Sequence, residues 1–320
     1  MQKTKVSVII PIYGVEQYIA RCAQSLFNQT LDEVEFIFVD DHTQDNSIVV
    51  LEREIQKFPH LKDYIKIQRH EKNYGLPIAR QTGLRYANGE YIIHCDSDDW
   101  MDKNMLKLMY DKALASNCDI VVCDYFVSDG TTQKEEAEYV PDSTNQLLRS
   151  LLSKQTHSVV WNKLVHRRLY EKTIKTPTAN NAEDYALICQ LSYYCTKVCC
   201  IKQPLYYYYH NAESMTKVKS KEHVINRFMQ SYENIKLVES FLQERGVDSL
   251  YINELDYIKS HEKKLLLPYV QENDVLCIWR SYYQEVFPRI LFNKILTIRD
   301  KIRYIITAIG IYPKVKSLLK

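Results

Sequence analysis

Tyr91-Ile92-Ile93-His94-Cys95-Asp96-Ser97-Asp98-Asp99-Trp100 places three carboxylates at the exit of a short apolar run. In an open α/β sheet, ligands bind outside the carboxyl ends of the strands. Alternation in Asp-x-Asp sends Asp96 and Asp98 to one side. Two hard oxygen ligands there suit Mg²⁺ or Mn²⁺, with the other coordination positions left to water and phosphate. Two simpler readings compete. A helix cap accounts for Asp102, ahead of a helical pattern over 103–116, but leaves the other three acids unexplained. An EF-hand requires Gly at its sixth position and Glu at its twelfth, where this chain has Met101 and Lys107.

Outward from that segment, residues 1–124 alternate short apolar runs with helical patterns, the signature of β-α-β units around a mostly parallel sheet. The spacing predicts strands at 6–10, 34–39, 65–68, 91–94 and 120–123. Each is apolar on both faces, as a sheet flanked by helices requires. Ile19, Cys22, Ala23 and Leu26 form one helical stripe, and Ile48, Leu51, Ile55 and Phe58 form another behind the cap candidate Asp45. Helical patterns follow at 143–153 and 183–194, then strand-like runs at 197–201 and 205–210. Beyond residue 221 the character is helical. The expected organisation is a domain over 1–215, divided near residue 125 into two halves, 1–125 and 126–215, followed by a helical region over 216–320.

The chain has 320 residues, 46% hydrophobic content and a formal net charge of +2. That supports a sizeable core and gives no case for nucleic-acid binding. Its nine cysteines include no C-x-x-C pair, so buried free thiols in a reducing compartment are expected. The N-terminus runs into a strand without an apolar signal core, which predicts a cytoplasmic protein.

Four strand exits deliver groups suited to one ligand: Pro11, Tyr13 and Glu16; Asp40 and Asp41; Asn73, Gly75 and Arg80; Asp96 and Asp98. Such a set suits a nucleoside diphosphate. Tyr13 can pack against a base, Asp41 can accept a base or ribose hydrogen, and Arg80 can approach phosphate. Asp96 would reach the ribose and Asp98 the metal bridging the two phosphates. No G-x-G-x-x-G follows the first strand and no Walker motif occurs.

Val6-Ser7-Val8-Ile9-Ile10-Pro11-Ile12-Tyr13, Val39-Asp40-Asp41, Asn73-x-Gly75-x-x-x-Ala79-Arg80-x-x-Gly83 and Gly89-Glu90-Tyr91-Ile92-x-x-x-Asp96-Ser97-Asp98-Asp99-Trp100 together resemble the signature set of family 2 glycosyltransferases with the GT-A fold. The departures are His42 where Gly is frequent, Gln81 where Asn is frequent, and Cys95 where Leu is common. The resemblance implies an inverting transfer from a nucleotide-diphosphate sugar, with a UDP-sugar as the expected donor, to a glycan or lipid-linked acceptor hydroxyl. It implies a later acidic motif, to which Glu183-Asp184 is similar, with Asp184 as general base; the competing reading is a helix N-terminus complemented by acids. It also implies that Lys163, within Trp161-Asn162-Lys163-Leu164, contacts phosphate. His210, ahead of Ser214-Met215-Thr216, would be a third metal ligand or a diphosphate contact, although a lone His is more often structural. Other readings are a nucleotidyltransferase making nucleotide sugars, which should carry a basic glycine-rich first loop, and a nucleotide-sugar-binding protein without turnover.

Residues 291–320 carry seven basic side chains against one acid, Asp300, interleaved with Ile302, Ile305, Ile306, Ile309 and Ile311. Such a stretch reads as an element lying on an anionic membrane. A helix packed on its own domain is the alternative.

Overall fold

Strands β1 (Val6–Ile12) and β2 (Val34–Asp40) are buried along their whole length, because helices cover both sheet faces and leave no outward polar row. The computed structural model describes residues 4–210 and 220–315. In it β1 pairs in parallel with β2 on one side and with β4 (Tyr91–His94) on the other, and β2 pairs with β3 (Ile65–Arg69). Helices α1 (Ile19–Phe27), α2 (Ser47–Gln56) and α3 (Leu76–Tyr86) make the connections. The order β3-β2-β1-β4 reverses direction between β1 and β4. At such a switch point the loops diverge and leave a crevice for a ligand.

The chain continues through β5 (Trp100–Met101), α4 (Met105–Ser116), β6 (Ile120–Ser128), β7 (Gln133–Glu136), α5 (Leu147–Leu152), β8 (Lys163–His166), α6 (Glu183–Tyr194) and β9 (Val198–Tyr209). Strand β8 joins β4 and β6 in antiparallel fashion, while β9 runs parallel to β6. The two runs expected at 197–201 and 205–210 are one strand. Its register against β6 shifts between Cys123 and Tyr125, with Pro204 opposite Asp124; a residue without an N–H is accommodated where the ladder is already interrupted. Helix α4 starts at Met105 with Asn104 as its N-cap. Asp102 does not cap it, but accepts from the Asn104 N–H at 2.8 Å and so shapes the turn before it. The helix expected over 143–153 is a 3₁₀ turn, Thr144–Gln146, followed by the short α5.

The cysteine expectation needs one correction. Cys118 and Cys199 form a disulfide, because β6/β9 pairing brings together residues that are distant in sequence. The other seven are free, five of them buried as expected, with Cys200 half-buried and Cys277 exposed.

Helices α7 (Lys221–Gln243), α8 (Ile252–Glu262), α9 (Asn273–Ser281), α10 (Ile298–Ala308) and α11 (Tyr312–Val315) complete the fold. Phe228, Val238, Leu255, Trp279 and Tyr304 share one apolar cluster with Ile120 and Val122 of β6 and with Ile188 of α6. The boundary expected near residue 215 lies outside the described residues, and the segments on either side of it share this core.

Gly89 shows how tightly β4 enters. A Cβ there would lie 2.5 Å from the Ser7 backbone nitrogen, and backbone inside a sheet cannot give way as a side-chain tip can. Gly89→Ala should therefore cost about 2 kcal/mol or more, read as a lower urea midpoint at unchanged slope.

Candidate active site

The crevice is a cavity of about 310 Å³ lined by Pro11, Tyr13, Asp41, Asn73, Gly75, Asp96 and Asp98 among others. Seven of the residues picked out in the sequence thus line one cavity. Tyr13 is exposed, placed to cover a flat ring entering the cavity. Asp41 is more committed than its sequence position suggests. Its carboxylate accepts from the Tyr74 and Gly75 N–H groups at 2.8 Å each and pairs with His70 Nδ1 at 2.7 Å. Those bonds fold the loop after β3 over the cavity, and Gly75 at φ +91° takes a backbone conformation that other residues resist. His42, where the resemblance favours Gly, sits at φ +62°. Histidine is among the few non-glycine residues enriched in that region.

Four expected contacts lie elsewhere. The Glu16 carboxylate accepts from the Asn46 N–H at 3.0 Å and its side-chain amide at 3.1 Å, tying the first loop to the start of α2. Lys163 is buried, donating at 2.8 Å to the His157 and Val159 carbonyls and to Asn162 Oδ1. Burial lowers its pKa to about 8. It braces the 157–163 turn and does not line the cavity that holds Asp96 and Asp98. His210 is exposed, and its backbone N–H donates to the Ser128 carbonyl at 2.7 Å, closing the end of the β6/β9 ladder. Among the described residues no ion pair or metal-ligating cluster joins its ring to Asp98. Arg80, expected at phosphate, is buried and faces carboxylates: its Nη2 donates to Asp96 at 2.8 Å, and its Nη1 donates to Glu183 at 2.6 Å and to Asp184. Burial works against its charge, but Asp184, Asp96 and Glu183 together outweigh that and hold it protonated.

Glu183 and Asp184 open helix α6. Burial, then the Asp184 charge, pushes Glu183 up to about 8, and burial also raises Asp184 against the pull of Arg80. Two carboxyls this close cannot both ionise cheaply, so the pair takes up a proton more readily than either carboxyl would alone. Asp184 also lines a second cavity of about 420 Å³, between the start of α6 and helices α7 and α8. Arg80 therefore joins an acid of the first cavity to an acid of the second.

The acids after β4 have separate tasks. Asp99 is buried and accepts from the Tyr206 hydroxyl at 2.7 Å and the Tyr209 N–H at 2.6 Å, which pins the loop to β9. Asp98 has no ion-pair partner among the described residues, and burial followed by the Asp96 charge raises its pKa to about 6. A half-buried carboxylate without a direct ion pair, beside a second one, fits a divalent cation. Among the described residues no three His, Cys, Asp or Glu side chains converge on one point, so a cation held by Asp98 and Asp96 would draw its other ligands from phosphate and water.

Sequence reasoning passed over Asn180, which lines the same cavity as Asp96 and Asp98 and accepts from the Leu76 N–H at 3.1 Å, and Arg21, which donates to the Asp98 carbonyl at 2.8 Å while lying over the Trp100 ring. Neither has a local signal. The nearest hint for Asn180 is the polar run before Glu183. Ser214-Met215-Thr216 lies outside the described residues.

Residues 7–174 match the model of glycosyl transferase family 2. The uncharacterized glycosyltransferase EpsJ of Bacillus subtilis (strain 168) is 30% identical over 278 residues, covering 82% of this chain and 77% of that protein. Among solved structures, S. aureus TarS 1-349 in complex with UDP-GlcNAc superposes with a TM-score of 0.68 at 18% identity, covering 98% of this chain and 90% of that one. The mannosyltransferase PcManGT from Pyrobaculum calidifontis, in complex with GDP-Man and Mn²⁺, gives a TM-score of 0.55 at 14% identity, covering 97% and 88%.

Proposed function

Because the chain belongs to glycosyltransferase family 2, we propose that it is a metal-dependent, inverting enzyme that moves a sugar from a UDP-sugar to a hydroxyl of a surface glycan, at the inner face of the membrane. The observation that carries this reading is the Arg80 bridge, with Asp96 in one cavity and Asp184 in the other. Inversion in a single displacement needs an acceptor oxygen on the face opposite the leaving group and a carboxylate beside it to take the proton. Donor in the cavity of about 310 Å³ and acceptor in that of about 420 Å³ meet that need.

Asp98 and Asp96 would hold Mn²⁺ or Mg²⁺, which when bound neutralises the charge of the departing diphosphate. Tyr13 covers the base, and the loop tied down by Asp41 shapes the pocket around it. Asp184 accepts the proton from the acceptor hydroxyl. Arg80 keeps Asp184 ionised and aimed.

Incubation with a panel of nucleotide sugars, with Mn²⁺ or with a chelator, tests the assignment through nucleoside diphosphate release. Release with a uridine donor that the chelator removes is the expected result. Equal release under chelation overturns the metal, and release only from donors with other bases overturns the uridine assignment. Consumption of a nucleoside triphosphate and a sugar phosphate, with pyrophosphate as product, favours a nucleotidyltransferase instead.

A further inference from the structure

Helix α10 is amphipathic with its apolar side turned outward. At about 100° per residue, Ile298, Ile302 and Ile309 fall within roughly 40° of one another, and all three are exposed, Ile298 by 78%. The opposite side carries the buried Tyr304 and Thr307, which fix the helix to the core. Ordinary surface helices have the reverse arrangement. The segment before it extends the same surface: Lys301 Nζ donates to the Leu291 carbonyl at 2.9 Å, and Leu291 and Phe292, the latter 80% exposed, stand free of the core. The sequence pattern alone grouped Ile305 and Ile306 with this face, but both are half-buried; the apolar area is completed by Leu291 and Phe292.

We propose that this face, built from Leu291, Phe292, Ile298, Ile302 and Ile309, seats in the interfacial layer of an anionic bilayer. Charge selects that occupant. Lys294 and Lys301 flank the apolar residues without a carboxylate partner among the described residues, whereas Asp300 is engaged by Lys264 at 2.8 Å and Arg303 at 3.4 Å. A second copy docked about a two-fold axis would set this positively charged patch against itself. Anionic headgroups complement it, and the isoleucines supply burial that salt does not screen. No helix among the described residues is long and apolar enough to cross a membrane, so the contact is peripheral.

Flotation of the full chain with phosphatidylglycerol vesicles, against phosphatidylcholine vesicles, tests the proposal. The parent should float with the anionic vesicles, and Ile298→Ser/Ile302→Ser should lower the bound fraction at least tenfold. Lys294→Glu should lower it less, and only at low salt. Equal flotation of parent and double variant overturns the proposal, as does a parent that stays unbound. Concentration-dependent dimerisation that the double variant abolishes overturns it in favour of a second copy. The surface does not rest on the transfer reaction: nucleotide release in solution reads catalysis separately and should be unchanged in these variants.

Discussion

Asp184→Asn should retain donor affinity and lose turnover by roughly a hundredfold or more. The amide keeps the shape and still offers an oxygen to Arg80, but it has no basic carboxylate for the acceptor's proton. Arg80 stays partnered by Asp96 and Glu183, so the fold should survive. The pH profile gives a second reading. Burial raises the Asp184 carboxyl above its ordinary range and only its ionised form is a base, so the parent rate should fall as pH drops through that raised value. The variant's residual rate should lack this acid limb. Titration calorimetry for donor binding and single-turnover transfer separate the two effects. If donor affinity collapses while bound donor still turns over, Asp184 is a structural acid at the head of α6, and Glu183 becomes the first candidate for the base.

Asp98→Ala should abolish the Mn²⁺-dependent part of nucleoside diphosphate binding, because one of very few protein ligands is lost and the diphosphate charge goes uncompensated. Equal affinity in variant and parent would sink the metal assignment. Proton competition provides an independent check. With a pKa of about 6, Asp98 is largely ionised at pH 7.5 and largely protonated at pH 5, so Mn²⁺ affinity should weaken below pH 6 by up to about tenfold per unit. The sign for stability runs the other way. A folded pKa above the unfolded value means the native state binds more protons between the two, so its stability falls as pH rises through that window. Without metal, Asp98→Ala should therefore be no less stable than the parent at pH 7.5, as read by thermal melting.

Much of the crevice was legible in the sequence because its determinants are local. A strand buried on both faces is a mostly apolar run, as in β1, β2 and β4, and the residues at and just past its end stand at the crevice whatever the rest of the chain does. Pro11, Tyr13, Asp41, Asn73, Gly75, Asp96 and Asp98 all follow that rule. Arg80 and Lys163 did not yield to it. An arginine or lysine near a phosphate site suggests a phosphate contact, yet Arg80 meets Glu183 and Asp184 from more than a hundred residues away, and Lys163 is consumed by the carbonyls of its own turn.

The tail marks the same division. Its basic residues and isoleucines at helical spacing are properties of the sequence alone. Periodicity, however, says only that one side of a helix differs from the other. Tyr304 and Thr307 take the inner side of α10 and the isoleucines the outer, because Trp279 and Tyr283 leave a site there for an aromatic ring with a hydroxyl. Local pattern thus determined the five strands of the first half, the loops at their ends and the amphipathic tail, but not β5, β7 or β8. The tertiary structure decided which charges meet and which face is left to solvent, since those depend on packing between segments that share no sequence neighbourhood.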